Sequence, residues 1–145
     1  MSGRAETGRE DAPPVGLVLT SHGLLAGGVR DAAEMIIGPQ DGLAVVAMGP
    51  AEDLDAFRAK LEEAVHAVDR GRGVLVLADL FGGSPGNTAA YVLGPTVEVV
   101  TGVNLPMLLE VLINRVDAET PAGLAAIACT AARDGVMRLA DMLGG

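Results

Sequence analysis

Aromatic residues are nearly absent from this chain of 145 residues: Phe57, Phe81 and Tyr91 stand alone and there is no tryptophan. Stacking on nucleobases or flavins therefore has almost nothing to work with. Cations are scarce as well. Ten Lys and Arg face nineteen Asp and Glu, for a net charge of -9, and Lys60 is the only lysine. Binding to a phosphate backbone or an anionic lipid surface needs clustered positive charge, so nucleic acid is excluded as a partner on both counts. A single cysteine, Cys129, allows neither a disulfide framework nor a thiolate metal cluster within one chain. Its place in the small-residue run 125–132 reads as a small core residue, and a reducing, cytoplasmic location fits. Long hydrophobic runs are missing too, because Gly, Pro and charges interrupt every apolar stretch before it could cross a membrane. Residues 1–14 carry Arg4, Glu6, Arg9, Glu10 and Asp11 with no apolar stretch, so they read as a disordered tail and not as a signal peptide or anchor.

What remains is aliphatic. Half of the residues are hydrophobic, and a chain of this length buries one substantial core, so residues 15–145 are expected to form a single domain. Four short apolar runs, at 15–20, 43–48, 74–78 and 97–101, have the continuous character of strands covered on both faces. Between them lie helical patterns. Leu25, Val29, Ala32, Ala33 and Ile36 share one side of a segment closed by Gly38-Pro39. Leu54, Phe57, Leu61, Ala64, Val65 and Val68 repeat at helical spacing within 52–69. Ser84-Pro85 opens a helix to about residue 93, with serine as the cap and proline at the first helical position. Further helices are expected at 105–115 and, as one continuous element, at about 122–143. Strict alternation with short connections predicts an α/β fold, a doubly wound, mainly parallel sheet of four strands with helices on both faces.

In such a sheet, ligands bind beyond the C-terminal ends of the strands, beside the strand where the winding reverses. Two polar segments fall on that edge: Thr20-Ser21-His22-Gly23 after the first run, and Asp79 with Gly82-Gly83-Ser84-Pro85 after the third. If the first strand lies beside the third, His22 and Asp79 are neighbours; with the second strand between them they are separated by roughly 10 Å. As neighbours, they make a specific chemistry available. A carboxylate accepting from one ring nitrogen fixes the tautomer and leaves the lone pair of the other facing outward as a nucleophile. The helix start and the Ser84 hydroxyl offer donors to a phosphoryl group, Gly82 and Gly83 let the backbone approach, and Ser21 is a further candidate phosphate contact. Positioning and charge stabilisation are most of what phosphoryl transfer asks of a protein, so neither metal nor other cofactor is required. His66, inside a charged helix, reads as a solvated residue. Asp79 taken alone could equally cap a turn, and Asn87 and Thr88 could serve only to support the first helical turn.

Rival readings fit less well. Gly82-Gly83-Ser84-Pro85-Gly86 matches a G-x-S-x-G nucleophile elbow in form, but Pro85 has no N–H for the oxyanion hole that mechanism needs, and both histidines precede the serine. A receiver domain needs acidic residues after the first strand, where Ser21-His22-Gly23 stands. No P-loop and no dinucleotide fingerprint is present. As a metal site, His22 and Asp79 supply only two ligands.

Three blocks carry a family resemblance: Val18-Leu19-Thr20-Ser21-His22-Gly23, then Leu77-Ala78-Asp79-Leu80-Phe81-Gly82-Gly83-Ser84-Pro85-Gly86-Asn87, then Val100-Thr101-Gly102-Val103-Asn104-Leu105-Pro106-Met107. Together they resemble the mannose-family IIA component of the bacterial phosphoenolpyruvate-dependent sugar phosphotransferase system. The resemblance implies a cytoplasmic phosphocarrier in which His22 takes a phosphoryl group from the carrier HPr, through Nε2, and passes it to a IIB component. Asp79 would orient the ring and Ser84 would sit near the phosphate, while Asn104, in a loop lining the same edge, is a lesser phosphate-binding candidate. A homodimer without membrane insertion is implied, in some members through an exchanged C-terminal strand, although the segment after Arg115 reads as wholly helical. The phosphotransfer subunit of dihydroxyacetone kinases is a similar alternative, and a regulatory module switched by phosphorylation of His22 is another.

Overall fold

The computed structural model describes residues 13–80 and 82–144, so residues 1–12 of the expected tail lie outside the described residues. The chain runs β1 (Gly16–His22), α1 (Leu25–Ile37), β2 (Leu43–Met48), α2 (Leu54–Val68), β3 (Val74–Ala78), α3 (Ser84–Ala89), a 3-10 turn (Ala90–Val92), β4 (Val97–Thr101), α4 (Leu105–Asn114), α5 (Pro121–Asp134) and α6 (Leu139–Met142). The described strands form one sheet in the order β2-β1-β3-β4, and every pairing is parallel. From β1 the chain steps one way to β2, then crosses back past β1 to β3 and on to β4. Crossovers of one hand taken in opposite directions lay their helices on opposite faces, and this chain does so.

The side-chain alternation of the strands sorts the core into two layers. Leu17, Leu19, Leu75 and Leu77 point to the face covered by α1, α4 and α5, where they meet Ala26, Ala33, Met107, Leu108, Val111 and Leu124. Val18, Val74, Val76 and Val46 point to the other face, against Phe57, Leu61 and Val68 of α2 and Ala89 of α3. Apart from Phe57, the buried side chains of both layers are aliphatic. This is why the strand segments read as unbroken apolar runs and not as alternating ones.

Two elements differ from the pattern read in the sequence. The expected continuous helix at 122–143 is broken: α5 stops at Asp134, residues 136–138 leave the helical path, and α6 is a single short turn. Gly135 is wedged against α4, where an added Cβ would fall 2.5 Å from Pro106, so the helix ends against a neighbour remote in sequence. The second difference is at α3, where Gly83 and not Ser84 is the N-cap. Ser84 and Pro85 are the first two helical residues, and no side chain caps the helix.

Candidate functional site

β1 and β3 sit side by side with Thr20 opposite Ala78, and the winding reverses between them. β1 extends two residues beyond the apolar run, because Ser21 and His22 continue the ladder against Ala47 and Met48 of β2. His22 is therefore the last residue of a central strand. Its backbone is held by the sheet while its side chain is 51% exposed. Asp79 follows β3 directly, with its N–H donating to Thr20 O at 3.1 Å, and its carboxylate side chain is only 4% exposed.

Every oxygen of that carboxylate is used. Oδ2 accepts from the His22 backbone N–H at 2.9 Å and lies 2.7 Å from His22 Nδ1, and Oδ1 accepts from the Leu80 N–H at 2.9 Å. Burial by itself raises the Asp79 pKa, but the hydrogen bonds from the ring and the two backbone amides, with the imidazole charge, outweigh it and hold the carboxyl below its ordinary value of 3.8. An ionised carboxylate has no hydrogen to give, so the Nδ1 facing it carries the ring hydrogen. Nε2 then presents its lone pair, and among the described residues it has no hydrogen-bond partner.

The sign of the Asp79 shift sets an acid signature. A carboxyl whose folded pKa is depressed adds stability above its unfolded pKa, and this contribution is lost as the pH falls below about 3.8. The stability gap between wild type and Asp79→Asn is expected to be flat above about pH 5 and to close between about pH 4 and 2. Urea midpoints measured across that range check it; a gap that persists to about pH 2 contradicts a depressed Asp79.

The glycine loop forms the opposite wall. Gly83 has an ordinary negative φ, so it is there for space: an added Cβ would lie 2.6 Å from His22 Cε1 and 3.2 Å from Nε2. Gly82 precedes it at φ 96°. Asn87 braces both, donating from its side chain to Gly82 O at 3.3 Å and from its N–H to Gly83 O at 2.8 Å. Ser84 is half-buried beside them, lining a hollow with Asn87, Thr88, Tyr91 and Arg58.

Two other candidates are bound to the protein itself. Ser21 is fully buried; its Oγ accepts from Ala26 N–H at 2.8 Å and donates to Gly23 O at 3.4 Å, pinning the turn that launches α1. Asn104 caps α4, with Oδ1 accepting from Met107 N–H at 2.9 Å, and its Nδ2 donates to Ala132 O of α5 at 3.1 Å. Thr20, which opens the first polar segment but carries no assigned role in the sequence, donates its hydroxyl to Val46 O at 2.8 Å and ties β1 to β2 beneath the site. His66 is exposed on the last turn of α2, as expected.

A family profile described as the phosphotransferase system fructose IIA component matches residues 16–128, which include β1 through most of α5. The chain belongs to that family. Among curated relatives of this IIA component, the mannose-specific EIIAB component of Escherichia coli (strain K12) is 34% identical over 127 residues. That match covers 86% of this chain and 39% of the relative, so the chain spans about two fifths of the length of such relatives. The fructose-specific EIIA component of Bacillus subtilis (strain 168) is 31% identical over 100 residues, 68% of each chain. In structure, the mannose/sorbose-specific IIA subunit from Enterococcus faecalis matches with a TM-score of 0.78 at 32% identity, covering 86% of this chain and 94% of that one. An EIIA component from Streptococcus agalactiae shares the fold, with a TM-score of 0.80 at 24% identity over 88% of this chain and 98% of that one. No helix among the described residues is long and apolar enough to cross a membrane.

Proposed function

We propose that this IIA component is a cytoplasmic phosphohistidine carrier: His22 accepts a phosphoryl group from phosphorylated HPr and passes it to a IIB component during carbohydrate uptake. The observation that carries the reading is the 2.7 Å contact between His22 Nδ1 and the buried Asp79 carboxylate, which leaves Nε2 as the outward nucleophile. In the transfer, the Nε2 lone pair forms the new N–P bond as the donor's N–P bond breaks and its electron pair returns to the donor imidazole. His22 keeps its Nδ1 hydrogen, so the ring becomes cationic as the bond forms, and Asp79 sits where that charge develops. Ser84 and the backbone of Gly82 and Gly83 are the proposed contacts to the phosphoryl oxygens. Ser21 and Asn104 act through the loops they pin.

Incubation with phosphoenolpyruvate, the first enzyme of the system and HPr is expected to give an acid-labile phosphate that phosphorus NMR places on His22 Nε2, and that disappears when IIB is added. No label, or label on another residue, overturns the proposal; label that IIB leaves in place removes the acceptor step and favours a regulatory role.

The working unit on this reading is a homodimer. Support comes from the segment after Gly135, where Val136, Met137, Leu139, Met142 and Leu143 are all exposed, an apolar set larger than an isolated surface usually carries. Sedimentation is expected to give twice the mass of one chain; a monomer at micromolar concentration contradicts it.

A further inference from the structure

The hollow beside Ser84 is lined by groups whose hydrogen-bonding capacity is unspent. Its volume is about 280 Å³, and its walls are the first turns of α2 and one face of the helical stretch 84–91, where Ser84, Asn87, Thr88 and Tyr91 stand at helical spacing. Thr88 is the decisive residue. It is only 7% exposed, and its hydroxyl has no hydrogen-bond partner among the described residues. A helical threonine can spend that hydroxyl on a carbonyl one turn back, and this one does not. No fully covered side-chain nitrogen or oxygen among the described residues lacks a partner, so the Thr88 hydroxyl keeps an opening, and the hollow it lines is that opening. A polar group this deep is costly to leave unpaired. The side-chain oxygens of Ser84 and Tyr91 likewise have no hydrogen bond among the described residues.

Arg58 brings a cation to the same hollow. Its Nε donates to Glu62 Oε2 at 3.2 Å, and its guanidinium carbon stands 4.3 Å from the centre of the Tyr91 ring. Neither contact spends the hydrogens on its two Nη atoms. A guanidinium with paired donors to give, beside three free hydroxyls, is the chemistry that holds a phosphate. Asp55 lines the hollow too, and its carboxylate repels an anion but accepts from a hydroxyl. The ligand that satisfies both ends therefore carries a phosphate and a hydroxylated body. The hollow has room for it, being close to the lower end of small-molecule sites at about 300 Å³.

We infer that this hollow binds a small phosphate monoester with a hydroxylated body, a sugar phosphate by chemical class, with its phosphate on Arg58, Thr88 and Ser84 and a hydroxyl on Asp55. The net charge of -9 acts against any anion at long range, so the affinity comes from these local donors and is modest. The site is separate from the phosphoryl position on Nε2 but shares Ser84 with it. An occupant takes the Ser84 hydroxyl and sets a second anion beside the phosphoryl group, which slows transfer through His22. This consequence, unlike the binding itself, rests on His22 being the acceptor.

Calorimetric titration with glucose 6-phosphate tests the binding with no phosphoryl donor present. The expected Kd is below about 1 mM, raised about tenfold in Arg58→Met and several-fold in Thr88→Val, and unchanged in His22→Ala. Glucose is expected to give no binding, and inorganic phosphate to bind about tenfold more weakly than the ester. The emission of Tyr91, the only tyrosine in a chain without tryptophan, should change as Arg58 turns from the ring to the phosphate. No binding at about 10 mM, binding that both hollow variants leave intact, or binding that leaves the Tyr91 emission unchanged overturns the site. Equal affinity for inorganic phosphate and the ester overturns the hydroxylated body as part of what is recognised. Saturating glucose 6-phosphate should also slow labelling of wild-type His22 by phosphorylated HPr several-fold, and leave the Arg58→Met rate where it is. An unchanged wild-type rate overturns the inhibition. Failure of HPr to label the wild type without the ester overturns instead the functional reading, and the calorimetric result then decides the site by itself.

Discussion

Asp79→Asn is expected to slow phosphoryl acceptance on His22 by about 10²- to 10⁴-fold, measured against the zero set by His22→Ala. The size follows from counting donors. Asp79 receives three, the His22 N–H and Nδ1–H on one oxygen and the Leu80 N–H on the other, and a carboxylate can accept all of them. An asparagine has the same shape but one acceptor and one donor end. With its oxygen toward His22, its NH₂ group faces the Leu80 N–H, donor against donor. Turned over, it satisfies Leu80 but presents NH₂ to the ring, so Nδ1 must carry the lone pair and Nε2 the hydrogen. That tautomer has no nucleophile facing outward. With the side chain 4% exposed, water has little access to repair either arrangement. The substitution also removes the negative charge that faces the ring as it becomes cationic. Initial labelling rates for wild type, Asp79→Asn and the surface change Glu62→Gln test this, with nitrogen NMR of His22 reporting the tautomer. Equal rates for the two variants remove Asp79 from the chemistry.

Both members of this pair are legible in the sequence, but their contact is not. β1, β3 and their polar ends were legible because strands buried on both faces need continuous apolar runs, and a run that ends in His or Asp marks itself. Whether β2 lay between them depended on which strands pair, a choice set by the packing of α1, α4 and α5 against one face and α2 and α3 against the other. No local periodicity records it. The same limit explains the details that differed. Ser84 has the residue type of a cap, but the tight approach of Gly83 to the imidazole moves the helix start back by one residue. The end of α5 is dictated by Pro106, twenty-nine positions before Gly135 in the numbering, and an alanine-rich stretch gives no hint of it. Ser21 reads as a phosphate contact from its place at the strand end, and Asn104 does so only through the family resemblance; neither reading anticipates the hydrogen bonds that these side chains make within the protein. In the fold, these groups are bonded to Ala26 and Gly23, and to Met107 and Ala132.

Arg115 is the clearest residue whose importance only the three-dimensional structure reveals, and Arg115→Met is expected to lower stability by about 2–4 kcal/mol. In sequence it is the last residue of a helical pattern. In the fold it is 4% exposed, and its guanidinium gathers the turn before β2: Nη1 donates to Gly42 O at 3.0 Å, and Nη2 to Gln40 Oε1 at 3.3 Å and to Asp41 O. Its own carbonyl accepts from Val15 N–H at 3.4 Å, where β1 begins. Burying a cation is costly; burial lowers the Arg115 pKa, the Asp41 charge opposes this and Arg70 adds to it. The net loss on substitution is therefore less than the sum of its charge-assisted hydrogen bonds, each worth about 1.5–3 kcal/mol. Methionine fills the space but leaves the Asp41 carbonyl and the Gln40 amide to find other partners. Arg115→Lys should recover only part of the loss, because one ammonium cannot span acceptors on three successive residues as a planar fork does. Urea midpoints check the order wild type, Lys, Met; a methionine variant within about 0.5 kcal/mol of wild type contradicts it. The clamp sits where β2 begins, and His22 sits where β1 ends, on opposite edges of a parallel sheet. Labelling of the folded fraction should accordingly proceed at the wild-type rate, which separates the residue that holds the fold from those that set the chemistry.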